Sequence, residues 1–189
     1  MILRRSSRAI LVALAMIVCG AGAALAHALP GSTLLMQRQG DALHLTITFP
    51  VEDLVIAAPD LAALEGAPVN DKLPADMAYD LKRYLADHLS LSGEGGTLPQ
   101  TMRDARLRPA YEDHLGDFSV VITEWEFQAG GAGPDPLTLR YDAIMHEVRN
   151  HRAMVQWRGR NGNLRLLSVF GFPAASDGVV FDAHLNQDD

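Results

Sequence analysis

Cysteine is almost missing: the 189 residues contain one, Cys19, and it sits in an apolar stretch close to the N-terminus. The chain beyond that stretch therefore has no disulfide, no thiolate metal site and no cysteine nucleophile. Clustered cations are missing too. With 16 Lys and Arg against 23 Asp and Glu the formal charge is −7, and no basic run interrupts the body of the chain. Phosphate binding needs such runs, so nucleic acid is excluded as a partner. A Ser elbow, an HExxH pair and a phosphate loop are likewise absent. The expectation is a non-enzymatic protein. What is present, 48% hydrophobic and 21% charged residues, is the balance of a chain that folds around a core.

The N-terminus has its own composition. Arg4, Arg5 and Arg8 precede the uncharged stretch Ala9 to Ala26, which ends in the small-residue triplet Ala24-Leu25-Ala26. Basic, apolar and A-x-A segments in that order are a secretory signal. A membrane anchor is the competing reading, but Gly20, Ala21, Gly22, Ala23 and Ala24 make the far end weakly apolar. Lipidation at Cys19 is disfavoured by the bulk of Val18. Residues 1–26 thus read as a cleavable signal peptide, and 27–189 as one periplasmic domain. Losing the three arginines leaves 16 less 3, or 13, basic residues against 23 acidic. A domain of that length can bury about two-thirds of its unfolded surface without staples.

In the domain, Thr33 to Gln39 and Ala42 to Phe49 flank Gly40-Asp41 as a hairpin; Leu43, Leu45, Ile47 and Phe49 alternate with His44, Thr46 and Thr48. Val51 to Leu64, interrupted by Pro59, reads as irregular or partly helical. From Pro74 to Leu89 the period changes: Met77, Leu81, Tyr84, Leu85 and Leu89 recur at three and four, which predicts an amphipathic helix. The stretch from there to Gly116 reads as loop or edge strand. Asp117 to Gln128, Leu137 to Met145, Arg152 to Arg158, Leu164 to Phe172 and Val179 to Leu185 read as strands. The predicted fold is mainly β, an antiparallel β sandwich with one α-helical insertion.

Cleavage after Ala26 would make His27 the first residue. A terminal histidine joins a free α-amine to an imidazole, two nitrogen donors suited to Cu(II) or another late first-row ion. His146 and His151, between two predicted strands, are the candidates to complete a metal site. If those strands form a hairpin with Leu139, Tyr141, Ala143 and Met145 facing the core beside Ala153, Val155 and Trp157, paired residue numbers sum to an even value. His146 and His151 then face different sides, and a joint site needs an irregular tip. His88, His114 and His184 read as surface residues; Glu124 and Glu126 as a solvated pair; Trp125, Trp157 and Phe170 as core.

The leader followed by His27-Ala-Leu-Pro-Gly-Ser32, the strand end Thr48-Phe-Pro-Val-Glu-Asp-Leu54, the helix Arg83-Tyr-Leu-Ala-Asp-His-Leu89, Tyr141-Asp-Ala-Ile-Met-His146 and Asn150-His-Arg-Ala-Met-Val155 resemble the extracytoplasmic domain of HupE/UreJ-type membrane proteins. The resemblance spans most of residues 27–189 and lacks the membrane-spanning part. It implies export and a role linked to nickel or cobalt, with His27, His146 and His151 as the positions concerned. Two functions are expected from these observations. One is binding of Cu(II) or Ni(II) through His27. The other is an interaction domain without a ligand, docking on a membrane transporter or another envelope protein.

Overall fold

The computed structural model describes residues 30–69, 71–128, 136–172 and 174–182. His27, His184 and the expected leader lie outside them. Among the described residues no helix is long and apolar enough to cross a membrane.

Strands β1 (Ser32–Gln39) and β2 (Ala42–Pro50) form the expected hairpin. Gly40 has φ +60°, the left-handed geometry that the first position of a two-residue type II′ turn requires and that glycine adopts without strain. On β2, Leu43, Leu45, Ile47 and Phe49 are fully buried while His44, Thr46 and Thr48 face outward. The segment after Pro50 is more regular than expected. Helix α1 (Val51–Ala57) buries Val51, Leu54 and Ala57, and Pro59 opens a 3-10 segment, Pro59–Gly66. A proline lacks the amide hydrogen a continuing helix needs, so the helix stops there and a new turn begins. Helix α2 (Ala75–His88) buries Leu81 and Leu85 and runs directly into β3 (Leu89–Gly93).

The remaining strands are β4 (Gly96–Thr97), β5 (Gln100–Glu112), β6 (Gly116–Gln128), β7 (Leu137–Tyr141), β8 (Arg152–Arg158), β9 (Leu164–Gly171) and β10 (Val179–Phe181). They build a six-stranded sheet, β5-β6-β2-β1-β8-β9, and a four-stranded sheet, β10-β7-β3-β4. Every pair is antiparallel except β1 with β8. Both sheets feed one apolar core: Leu34, Met36 and Trp125 come from the larger, Leu91, Leu139 and Tyr141 from the smaller. The protein is mainly β and sandwich-like. Trp157 and Phe170 are buried with Trp125, as expected of core residues.

One expectation fails. The strands on either side of His146 and His151 are not a hairpin: β7 pairs with β3 and β10, whereas β8 pairs with β1 and β9 in the other sheet. Alternation shows which side chains turn inward, but two strands with the same alternation can sit in different sheets of one sandwich. The strand expected to reach Met145 stops at Tyr141. Residues 142–151 then form a coiled crossover in which Val148 N–H donates to the Ile144 carbonyl at 2.8 Å and His151 N–H to that of Val148 at 2.9 Å. The final strand closes at Phe181, and the rest of its expected span lies outside the described residues.

Candidate functional site

The crossover anchors two histidine clusters. The first joins it to helix α2, where Asp80, Tyr84 and His88 recur every four residues and so form one stripe. His88 stacks on His146, with ring centroids 4.3 Å apart and planes 13° from parallel. The tilted Tyr84 ring lies 4.7 Å from His88 and 6.0 Å from His146.

One residue orients both imidazoles. His88 Nδ1 lies 2.8 Å from Asp142 Oδ1, and His146 Nδ1 lies 3.3 Å from the Asp142 carbonyl oxygen. A carboxylate and a carbonyl only accept, so each Nδ1 carries the proton and each neutral ring keeps its lone pair on Nε2. Among the described residues neither Nε2 has a hydrogen-bond partner. Both rings line a groove of about 410 Å³ together with Tyr84, Asp60, Asp80 and Asp87.

Backbone strain accompanies this arrangement. Ile144, fully buried, has φ +69° and is the one non-glycine residue with positive φ among those described. Its N–H donates to the Tyr84 hydroxyl at 2.8 Å. Burial pushes the Tyr84 phenol up to about 12; the Ile144 hydrogen bond opposes that rise, and the negative charges of Asp142 and Glu147 add to it. His88, expected at the surface, is instead a partly buried member of the cluster. The helical spacing of Tyr84 and His88 was visible in the sequence, but their partner came from a segment about 60 positions away.

The second cluster is buried. His151 Nδ1 donates to Asp53 Oδ2 at 2.7 Å. Its Nε2 accepts from Ser32 N–H at 3.1 Å and from Ser32 Oγ at 2.8 Å, and the Tyr141 hydroxyl reaches Ser32 Oγ at 2.7 Å. The Ser32 amide can only donate, which fixes His151 as the neutral Nδ1–H tautomer. The hydroxyl protons then run in one direction, Tyr141 to Ser32 to His151. Burial raises the Tyr141 phenol strongly, against the opposing Ser32 hydrogen bond, and keeps it a donor. Ser32 is 1% and His151 3% exposed. Neither Asp53 nor Ser32 stood out in the sequence as a candidate for chemistry, since an acid beside Glu52 and a serine at the start of a strand look ordinary.

The expected metal residues therefore part company. His146 faces the groove beside His88, while His151 spends both ring nitrogens inside the fold. Among the described residues no group of three or more His, Cys, Asp or Glu is poised around one point for a metal ion. Glu126 and Glu124 of β6 meet arginines of β5: Arg103 clamps Glu126 through two hydrogen bonds of 2.8 and 3.1 Å and Arg106 pairs with Glu124, so that acidic pair is neutralised by the neighbouring strand. In comparisons with known proteins, no family model matches this chain, and neither does any curated protein.

Proposed function

We propose that the protein is an exported, non-enzymatic binder of a late first-row transition ion, Cu(II) or Ni(II), held between Nε2 of His88 and Nε2 of His146. The observation that carries this reading is the shared use of Asp142. Metal-binding histidines characteristically donate their other ring N–H to a carboxylate or carbonyl, which sets tautomer and ring direction. Here one residue does so for two stacked rings and leaves two lone pairs beside an open groove. Imidazole nitrogen suits both ions. Holding one ion between them requires the two rings to tilt out of their near-parallel stack until their Nε2 lone pairs converge. Water or a groove carboxylate supplies the remaining positions. The HupE/UreJ resemblance favours nickel.

Isothermal titration with Cu(II) and Ni(II) tests the site. His88→Ala and His146→Ala should each weaken binding by about 10- to 100-fold, and Asp142→Asn by roughly tenfold. Unchanged affinity in both alanine variants refutes it. Binding that disappears only when one residue is added ahead of His27 moves the site to the terminal amine. Coordination requires the Nε2 lone pairs, so protons compete with the ion and added acid should weaken binding.

A second reading, docking on a membrane transporter or envelope protein, is favoured by β9. This outermost strand of the larger sheet exposes Leu164, Leu166 and Val169, with Phe172 just beyond. Crosslinking in the native envelope should capture a membrane protein, and Leu166→Lys should abolish capture; a chain that stays alone while binding metal argues against docking.

A further inference from the structure

We propose that the chain cuts its own Gly31–Ser32 peptide bond, with Ser32 Oγ as nucleophile and His151 as the base and acid that serves both halves of the step. The Asp53–His151–Ser32 distances of 2.7 and 2.8 Å are those of an activated serine. An external acyl donor has no way in, because Ser32 and His151 are sealed. The carbonyl within covalent reach of Ser32 Oγ is that of the preceding residue, Gly31, through a five-membered ring.

A second feature points the same way. Cleavage by this route needs a proton taken from Ser32 Oγ and one delivered to Ser32 N, and the same His151 Nε2 lies within hydrogen-bond distance of both, at 2.8 and 3.1 Å. Gly31 is clamped in place as well. A Cβ there would stand 2.1 Å from the Arg152 carbonyl oxygen, a separation no side chain tolerates. The acyl carbon is thus held against β8 while the serine is held by His151 and Tyr141.

His151 Nε2 takes the Oγ proton as Oγ bonds to the Gly31 carbonyl carbon; Asp53 stabilises the imidazolium. The imidazolium then protonates Ser32 N, the carbon–nitrogen bond breaks, and an ester joins Gly31 to Ser32 Oγ beside a new Ser32 amine. Water, which reaches the half-buried Gly31, hydrolyses the ester to a Gly31 carboxylate and restores the hydroxyl. One water is consumed and nothing is oxidised. The consequence is a domain that begins at Ser32, detached from everything N-terminal to it, His27 included.

The full chain, purified with residues ahead of Ser32 still attached, is incubated at neutral pH and followed by intact mass and N-terminal sequencing. A product starting at Ser32 should accumulate. Hydroxylamine should speed its formation and leave a hydroxamate on Gly31, a fragment whose mass differs from that of a cut at Asn161-Gly162. Ser32→Ala should abolish cleavage, and Asp53→Asn should slow it by about a hundredfold. Ser32→Cys, which keeps a nucleophile in place should the alanine variant not fold, should cleave when a thiol such as dithiothreitol is added. A wild-type chain whose Gly31–Ser32 bond stays intact in hydroxylamine overturns the proposal, as does equal cleavage there in a folded Ser32→Ala chain or thiol-inert Ser32→Cys. Metal binding by His88 and His146 is read in a separate titration and does not depend on the outcome.

Discussion

Ile144 shows how much one residue is made to bear. A β-branched side chain at φ +69° pays about 1–2 kcal/mol for its left-handed backbone, yet Ile144 is fully buried and its amide holds Tyr84. The strain is offset by that burial and hydrogen bond, and it turns the chain so that His146 comes back over His88. Truncation should therefore give an inverted order. Glycine is ordinarily worse than alanine, but here Ile144→Gly should be more stable than Ile144→Ala by about 1 kcal/mol, since both lose the side chain and only glycine accepts the backbone. Urea unfolding of the two variants checks this. Tyr84 permits a pH prediction. Its folded value of about 12 lies above the ordinary value of 10.0, so its contribution is complete below pH 10 and is lost as pH rises from there toward 12. Two units correspond to roughly 2–3 kcal/mol. The melting temperature should fall steeply across that interval, and Tyr84→Phe should remove part of the fall, the buried Tyr141 phenol, raised as well, supplying the rest.

At the scale of elements, the start of β1 leaves no room for a side chain at Gly31. Parallel pairing sets Ser32 beside Ala153 and presses Gly31 on the Arg152 backbone. Because the obstacle is a main-chain oxygen, it cannot swing aside as a side chain would. Gly31→Ala should lift β1 from β8 and cost about 1–3 kcal/mol, the range of overpacked sites. Hydrogen exchange should then quicken in β1 and β8 before β5 and β6. Helix α2 works differently: Leu81 and Leu85 fasten one face to the core, which leaves the stripe of Asp80, Tyr84 and His88 to meet the crossover.

For the whole molecule, the buried network ties together parts distant in sequence. Ser32 belongs to β1 of the larger sheet, Tyr141 to β7 of the smaller, Asp53 to α1 and His151 to the crossover between the sheets. Removing its centre leaves the partly buried Asp53 carboxylate and the buried Ser32 donors without their partner. His151→Ala should cost roughly 3–5 kcal/mol, as for other broken buried charge-bearing pairs. Asp53→Asn combined with His151→Ala should cost less than the sum of the two alone, a coupling that a double-mutant cycle measures. Little of this was legible in advance. The period-two run of β2 and the three-and-four spacing of α2 showed which faces would be buried, and Gly40-Asp41 marked its turn. His88 and His146 could be named as histidines, but not as neighbours.

The residue order alone determined the mainly β character, the placement of most strands, helix α2 and the lack of any cysteine beyond Cys19, because each follows from spacing or composition within a short window. Only the folded chain decided that β7 and β8 lie in different sheets, that His151 is enclosed by Asp53 and Ser32, and that Asp142 directs two imidazoles into one groove. Those outcomes depend on which segments meet across long stretches of chain, and a local pattern reports the side a residue turns to the core without reporting what waits there.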